Sequence, residues 1–495
     1  MERSLYIAVD LGAGSGRVFL AGIEPREMLL EEIRRFHYPP IQAGGHLRWD
    51  LSRIFDEVKT GLRDAGRRAR QLGRHIVSIG VDSWGVDYGL IGTRGELLED
   101  PICYRDQRTA GAVEQVASLI APAEIYARTG IQLLDFNTIY QLYSHKKTGI
   151  PANADRLLLI PDLIDYLLAG VAVTEFTNAT TTQLVNAESC KWDTELLEVL
   201  QLPRRLFTDI VQAGTRLGPL TPEMAAEVEL EGVNVVATAT HDTASAVAGT
   251  PLQEGWAYIS SGTWSLVGVE RDNHLINSET ASRNFTNEGG AFGSVRFLKN
   301  VCGLWLLESC RKEWKERGQG VDYDTLIAQV ASLESTPALI YPDDPRFFNP
   351  QSMIDAVSEQ LDRTGQELSM EQPAVARTIL DSLALRYSAV VRDIESVTGK
   401  KVIGVHIVGG GSRNDYLNQA TASATGLPVV AGPDEATIIG NVLVQGIAAG
   451  RFGSIAEARR HVSSNLALKR FLPTSTEAWE AAARRYAAVE VRFIS

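Results

Sequence analysis

Cysteine is scarce in this chain: Cys103, Cys190, Cys302 and Cys310 are the only four in 495 residues, and no two form a CxxC pair. That spacing excludes a disulfide framework and a zinc ribbon, so the four read as reduced, mostly buried thiols. Positive charge is also in deficit. Against 61 Asp and Glu stand 48 Lys and Arg, a net charge of −13, which excludes nucleic acid and anionic membrane as the main partner. No apolar run approaches the roughly 20 residues of a membrane span. The opening MERSLYIAVDLG meets Asp10 before an apolar signal core can form; no signal peptide is expected and the chain reads as cytoplasmic. What is present is ordinary for an enzyme: 44% hydrophobic residues, 22% charged and 43 glycines. This length is too great for one hydrophobic core and suits two domains.

The pattern along the chain is mixed α/β. Leu5 to Val9 is a β-prone run ending in Asp10 and the turn GAGSG, and Val18 to Ile23 follows as a second strand. Ser52 is placed to cap a helix with Ile54, Val58 and Leu62 on one face. A strand then ends near Ser83. After HDTASA the opening device returns: Trp256 to Ser260 as a strand, SGT as a turn, Trp264 to Val269 as a strand. An amphipathic helix is expected over 376–398, followed by a strand at Val402–Val408 and the triplet Gly409-Gly410-Gly411. Two halves that open alike suggest duplicated lobes with a ligand between them. The boundary falls near 243–250, giving lobes 1–245 and 246–495.

The Gly-rich loops favour phosphate without matching the usual phosphate motifs. GxxxxGK[ST] is absent, and DLGAGSGR leads into a strand rather than a helix, with an acid where pyrophosphate would be repelled. An acid beside small backbone donors makes sense if a divalent ion lies between Asp10 and a triphosphate. Taken alone, a plain Gly-rich hairpin with a solvated Asp explains it better. SSGTWSL supplies a second such turn, and Gly409–Gly411 sit at a strand-to-helix junction where a nucleotide could approach the backbone.

Thr240-His241-Asp242-Thr243 lies where an apolar strand, Val233–Ala239, gives way to a helix. Phosphoryl transfer to an alcohol needs a carboxylate to accept the hydroxyl proton, and Asp242 fits that role. The competing reading makes Asp242 or Thr243 the helix N-cap. His241 could bond a sugar hydroxyl or be structural. Asp82-Ser83-Trp84-Gly85-Val86-Asp87 joins two acids, an indole and a glycine, ground on which sugars bind, though a buried Trp with ion pairs is the alternative.

With these residues in view the chain resembles the FGGY carbohydrate kinases over nearly its whole length. The resemblance rests on AVDLGAGSGR, GVDSWGVDYGL, CYRDQRT, FNTIYQLY, TNATTTQLVN, HDTASAV, YISSGTWSL, TNEGG, LKNVCGLWLLE, HIVGGGSRN and AGPDEATIIGN. SWGVDYGL, NATTTQLVN and SSGTWSL are similar to the branch acting on L-rhamnulose. The resemblance implies two actin-like lobes of the ribonuclease H type, closing over ATP, Mg2+ and a small ketose. It implies transfer of the γ-phosphate to the 1-hydroxyl of L-rhamnulose, with fuculose and xylulose as alternative ketoses and a non-catalytic sugar-binding regulator as the alternative class. The chain begins at its first strand and keeps Asp242, so no DNA-binding extension is expected. The assembly is expected to be a monomer or small homo-oligomer.

Carried over by residue, the resemblance assigns Ala13, Gly14, Ser15, Gly16 and Arg17 to ATP phosphate and Asp10 to the metal. Gly85, His241, Asp242, Thr243 and Asn300 are assigned to the sugar, with Asp242 as base. Thr263, Glu308, Gly409, Gly410 and Gly411 are assigned to the nucleotide. Gly14 stands where relatives often carry Ser, and Glu308 where Gln is expected; a Glu there loses an amide donor and adds charge near ATP.

Overall fold

The computed structural model describes residues 4–333, 338–367 and 369–494. The chain divides into two compact units: Met1–Pro251 with Glu270–Phe297 and Ala436–Leu466, and Leu252–Val269 with Leu298–Glu435 and Ala467–Ser495. The first unit thus takes up two segments that lie far along the sequence.

In the first unit, strands Ser4–Gly12, Ser15–Ile23 and Met28–His37 form an antiparallel meander. Helix Leu51–Gln71 then crosses over to strand His75–Ser83, which lies parallel to Ser4–Gly12. Asn234–Ala237 adds a second parallel neighbour and Thr215–Pro219 closes the edge. The first strand is buried on both faces, as a central strand must be. Tyr6 and Ala8 join a cluster with Ile438, Ile439, Val442 and Leu443 of helix Ala436–Ala448. Ile54, Val58 and Leu62 of helix Leu51–Gln71 are fully buried, as their spacing predicts. Its cap differs from expectation. Asp50, not Ser52, is the N-cap, its carboxylate accepting from Arg53 N at 3.0 Å. Both residue types cap well, and the helix begins one residue before Ser52.

The second unit repeats the opening hairpin: Trp256–Ser261 pairs antiparallel with Trp264–Arg271. Gly404–Val408 lies parallel to Trp256–Ser261, Val429–Ala431 lies parallel beyond it, and Lys469–Phe471 forms the edge. Helix Gln372–Thr398, the expected long helix, precedes Gly404–Val408 and ends at Gly399, in the left-handed conformation that suits a glycine C-cap.

Candidate active site

Strand register gathers the acids of the first unit. Asp10 pairs across the sheet with Asp82 on one side and with Arg17 on the other. The next parallel partner of Ser83 is His241, with Ser83 N donating to Thr240 O at 2.9 Å. Asp10, Asp82 and Asp242 are thereby brought to the ends of neighbouring strands. Asp10 is ion-paired with Arg17. Asp82 is fully buried; its Oδ2 accepts from Asn441 Nδ2 at 2.6 Å, and its Oδ1 has no partner among the described residues. Burial pushes its carboxyl well above the ordinary range, and the charge of Asp10 adds to the rise.

Asp242 is the first residue of helix Asp242–Gly249, and His241 is the N-cap. The Asp242 side chain bonds its own neighbour, Oδ1 accepting from Thr243 N at 2.5 Å and from Thr243 Oγ1 at 3.1 Å. Among the described residues Oδ2 takes no hydrogen bond, and the side chain is 30% exposed. Burial raises its proton affinity, a protonated His241 would oppose the rise, and Asp10 adds to it. A carboxylate with one open oxygen and raised proton affinity can accept a proton from an alcohol.

The phosphate-loop candidates sit beside it. Ala13 and Gly14 form a two-residue turn closed by the Gly12–Ser15 pair; Gly14 has φ +134° and open space around it. Gly16 is buried against the Phe36 ring, where a Cβ would come within 2.4 Å of the ring. Tyr38, which sequence reasoning missed, fastens this turn by donating from its hydroxyl to Gly12 O at 2.6 Å. Among the described residues no group of three or more His, Cys, Asp or Glu could hold a metal unaided. Magnesium bound with phosphate needs only one or two carboxylates. The charge of Asp10 already raises the proton affinity of Asp82 and Asp242, so a cation added at Asp10 would relieve repulsion, and this carboxylate fits such an ion.

The Asp82–Asp87 segment is less open to sugar than its composition suggests. Asp87 is fully buried and committed internally: Oδ2 accepts from Trp49 Nε1 at 2.7 Å, Trp84 Nε1 at 3.0 Å and Tyr104 N at 3.1 Å, and Oδ1 from Gln141 Nε2 at 3.1 Å. Asp82 and Trp84 are buried as well. Gly85 is the half-buried member, and a Cβ there would lie 3.0 Å from Thr181 Oγ1. The next residue, Val86, has φ +69°, rare for a β-branched side chain, under a tight turn in which Asp87 N donates to Gly85 O at 2.9 Å. Thr138 Oγ1 and Gln141 Nε2 hold the Val86 carbonyl. A conformation so disfavoured persists only where its surroundings fix it.

Behind Asp242 lies a buried acid network. Glu175 Oε2 accepts from Thr240 N and Oγ1 at 3.0 and 3.1 Å and from Thr177 N at 2.9 Å, while Thr177 Oγ1 accepts from His241 N at 3.2 Å. Asp162 Oδ1 accepts from Glu175 N at 3.0 Å; among the described residues Asp162 Oδ2 and both oxygens of Asp165 have no partner. Burial first, then neighbouring carboxylates, push Asp162 and Asp165 well up. The folded protein therefore keeps the Asp165 proton at a pH where the unfolded chain has lost it. This contribution to stability is full below the unfolded value, about pH 4, and is lost as pH rises through the folded one. Asp165→Asn should match the wild type near pH 4 and gain about 1–3 kcal/mol over it by pH 8. Urea unfolding across that range checks this; a gap that narrows with rising pH contradicts it.

The second unit places Thr263, Glu308 and Gly409–Gly411 around one strand end. Thr263 is exposed at the hairpin turn, and its carbonyl accepts from Gly303 N and Trp305 N, which fixes the start of helix Trp305–Glu316. Gly409 has φ +79°, and a Cβ on it would lie 2.9 Å from Ser261 O; one on Gly411 would lie 2.0 Å from Ser261 Oγ. Gly410 faces open space. The outer two glycines let the loop pack and the middle one leaves it open. Glu308 is 51% exposed and paired with Arg311 at 2.7 Å, and Arg311 lies 4.9 Å from the centroid of the Tyr323 ring. Its extra charge is thus balanced locally. Asn300 is half-buried on strand Val295–Cys302.

Family models match both parts of the chain: the N-terminal domain of the FGGY family of carbohydrate kinases over residues 5–249, and the C-terminal domain over residues 257–449. The chain belongs to the FGGY family of carbohydrate kinases. It is an ATP-dependent sugar kinase, and the two-unit α/β architecture is the actin-like one of that family. It is 44% identical over 480 residues to a rhamnulokinase of Bacteroides thetaiotaomicron, covering 96% of this chain and 97% of the relative. A rhamnulokinase of Bacillus subtilis is 37% identical over 470 residues, covering 95% of each. Among solved structures, a ligand-bound xylulose kinase of Lactobacillus acidophilus superposes with a TM-score of 0.82 at 18% identity, over 99% of this chain and 98% of that one. That likeness concerns the fold alone. No helix among the described residues of this FGGY kinase is long and apolar enough to cross a membrane.

Proposed function

We propose that this kinase transfers the γ-phosphoryl group of ATP to the 1-hydroxyl of L-rhamnulose, giving L-rhamnulose 1-phosphate and ADP, in the cytoplasm. The observation that carries the reading is Asp242: a carboxylate at a helix start, with an unbonded oxygen and raised proton affinity beside Asp10 and His241. The rhamnulokinase relatives support the choice of ketose.

In this reading Asp242 Oδ2 takes the proton from O1 as O1 bonds to the γ-phosphorus and the bond to the ADP oxygen breaks. His241, Thr243, Gly85 and Asn300 hold the sugar hydroxyls. Ala13–Arg17 receive the phosphate oxygens, and the Arg17 guanidinium adds positive charge there. Thr263, Glu308 and Gly409–Gly411 hold the nucleotide. Asp10 would hold Mg2+ together with phosphate, and the ion would supply neutralisation of the phosphate charge.

A coupled ADP-release assay over a panel of ketoses tests this. Turnover should be highest with L-rhamnulose, with kcat/KM exceeding that for fuculose and xylulose by roughly tenfold or more, and EDTA should abolish it. A higher kcat/KM for either of the other ketoses would reassign the substrate, and full activity in EDTA would remove the metal.

A further inference from the structure

The imidazole beside the base is held from behind by a buried cation. Arg296 is 0% exposed, and its guanidinium cannot lose its charge, so every contact it makes is as a donor. Its Nε donates to Gly289 O at 2.9 Å, and its Nη2 lies 3.0 Å from Glu288 Oε2 and 3.0 Å from His241 Nδ1. A nitrogen that faces an arginine N–H at hydrogen-bond distance must be the acceptor. Nδ1 therefore carries no proton, and the neutral ring carries its proton on Nε2. Glu288 Oε2 also lies 3.5 Å from Nδ1 and would favour a proton there, but that distance is too long to compete with the Arg296 donor at 3.0 Å.

The other face of the ring is the useful one. Nε2 lies 3.5 Å from Asp242 Oδ1, beyond a hydrogen bond, and the His241 side chain is 11% exposed. Its N–H is thus available to a ligand next to the base. The charged groups around the ring are Asp242 on its own helix, Glu288 on strand Thr286–Gly289 and Arg296 on strand Val295–Cys302. Glu175 acts through Thr177 and Thr240 on the backbone behind it.

We propose that Arg296 is a positioning residue that fixes His241 as the neutral Nε2–H tautomer, so that the imidazole presents a donor to a sugar oxygen beside Asp242. The consequence for the base follows from charge. An imidazolium next to Asp242 would stabilise the carboxylate and weaken it as a proton acceptor, whereas a neutral ring orients the sugar without that cost. The inference rests on the assignment of His241 and Asp242 to the sugar site. Its tautomer component does not depend on the identity of the sugar.

Nitrogen-15 NMR of the full-length protein with labelled histidine tests the tautomer, the His241 signals being assigned by their loss in His241→Gln. Nδ1 should resonate as an unprotonated nitrogen and Nε2 as a protonated one. A protonated Nδ1 overturns the proposal whether or not any variant folds. Arg296→Gln should lower kcat by up to about 100-fold and shift the His241 nitrogen signals toward the Nδ1-protonated form. Arg296→Lys should restore much of the activity and the wild-type signals. A folded Arg296→Gln that keeps the wild-type His241 signals makes Arg296 merely structural and sinks the proposal. Failure to turn over L-rhamnulose would undo the substrate assignment and leave the spectrum untouched.

Discussion

Asn in place of Asp242 should lower kcat by about 100- to 10,000-fold, the usual contribution of a positioned general base, with little change in the KM for ATP. The substitution is nearly isosteric. An Asn carbonyl can still accept from Thr243 N, which Asp242 Oδ1 does at 2.5 Å, so the start of helix Asp242–Gly249 is kept. What is lost is the open oxygen, replaced by an amide that donates where a proton must be received. Folding should not suffer. Asp242 is repelled by Asp10 and itself raises the proton affinity of buried Asp82, so a neutral side chain relieves like-charge contact and Tm should hold or rise. Loss of kcat without loss of Tm separates a base from a structural residue, and ADP release with thermal unfolding reads both. The acid limb adds a signature. A base works only when ionised, so activity is present above its pKa and lost as pH falls through it. Because that pKa is raised, the limb should lie above the ordinary aspartate value, and residual activity in the Asn variant should lack it. Unchanged kcat in the folded variant would remove Asp242 from the chemistry.

The sequence showed the devices that are local. A β-prone run, a Gly turn and a second β-prone run announce each opening hairpin, and both are found at Ser4–Ile23 and Trp256–Arg271. Asp242 stands out as an acid where an apolar strand yields to a helix, although capping is the ordinary local use of an Asp there. Whether it capped the helix was not legible, since the cap depends on which of His241, Asp242 and Thr243 first turns helical. The same ambiguity displaced the cap of Leu51–Gln71 from Ser52 to Asp50. The acids at 82 and 87 show a deeper limit. Composition reveals a dense polar and aromatic motif, but not that Trp49, Trp84, Tyr104 and Gln141 spend Asp87 entirely on internal bonds. Arg296, Glu288 and Glu175 were missed for a related reason. Glu288 lies in TNEGG, and Thr177 and Asn441 lie in other motifs of the resemblance, yet a motif does not say which distant residue its side chain meets. Arg296 is 55 residues from His241, and no spacing rule links them.

The least legible feature is also expected to be among the least tolerant. Helix Ala436–Ala448 meets helix Asp242–Gly249 within the first unit through two glycines. A Cβ on Gly440 would lie 1.7 Å from Ser245 O, and one on Gly249 would lie 2.2 Å from Ala436 O. Both obstacles are backbone atoms, which cannot rotate aside as a side chain can, so the helices must separate or distort. Gly440→Ala should therefore destabilise the protein by about 3 kcal/mol or more, lowering Tm by roughly 3–5 °C or more. Activity should fall with it. The same helix carries Asn441, whose amide holds buried Asp82, and Gln445, which donates to Ile7 O at 3.0 Å on the central strand. Its displacement moves the acids that Asp242 faces. Gly453→Ala is the control: its methyl meets nothing nearer than Glu457 Oε2 at 3.4 Å, and Tm should stay within about 2 °C, as for most surface changes. A wild-type Tm for Gly440→Ala would mean that the two helices do not make this contact. The contrast with Asp242→Asn is the informative part. One substitution should remove chemistry and spare stability, while the other removes both, because a base needs only its own atoms whereas its position depends on a helix contact made nearly two hundred residues away.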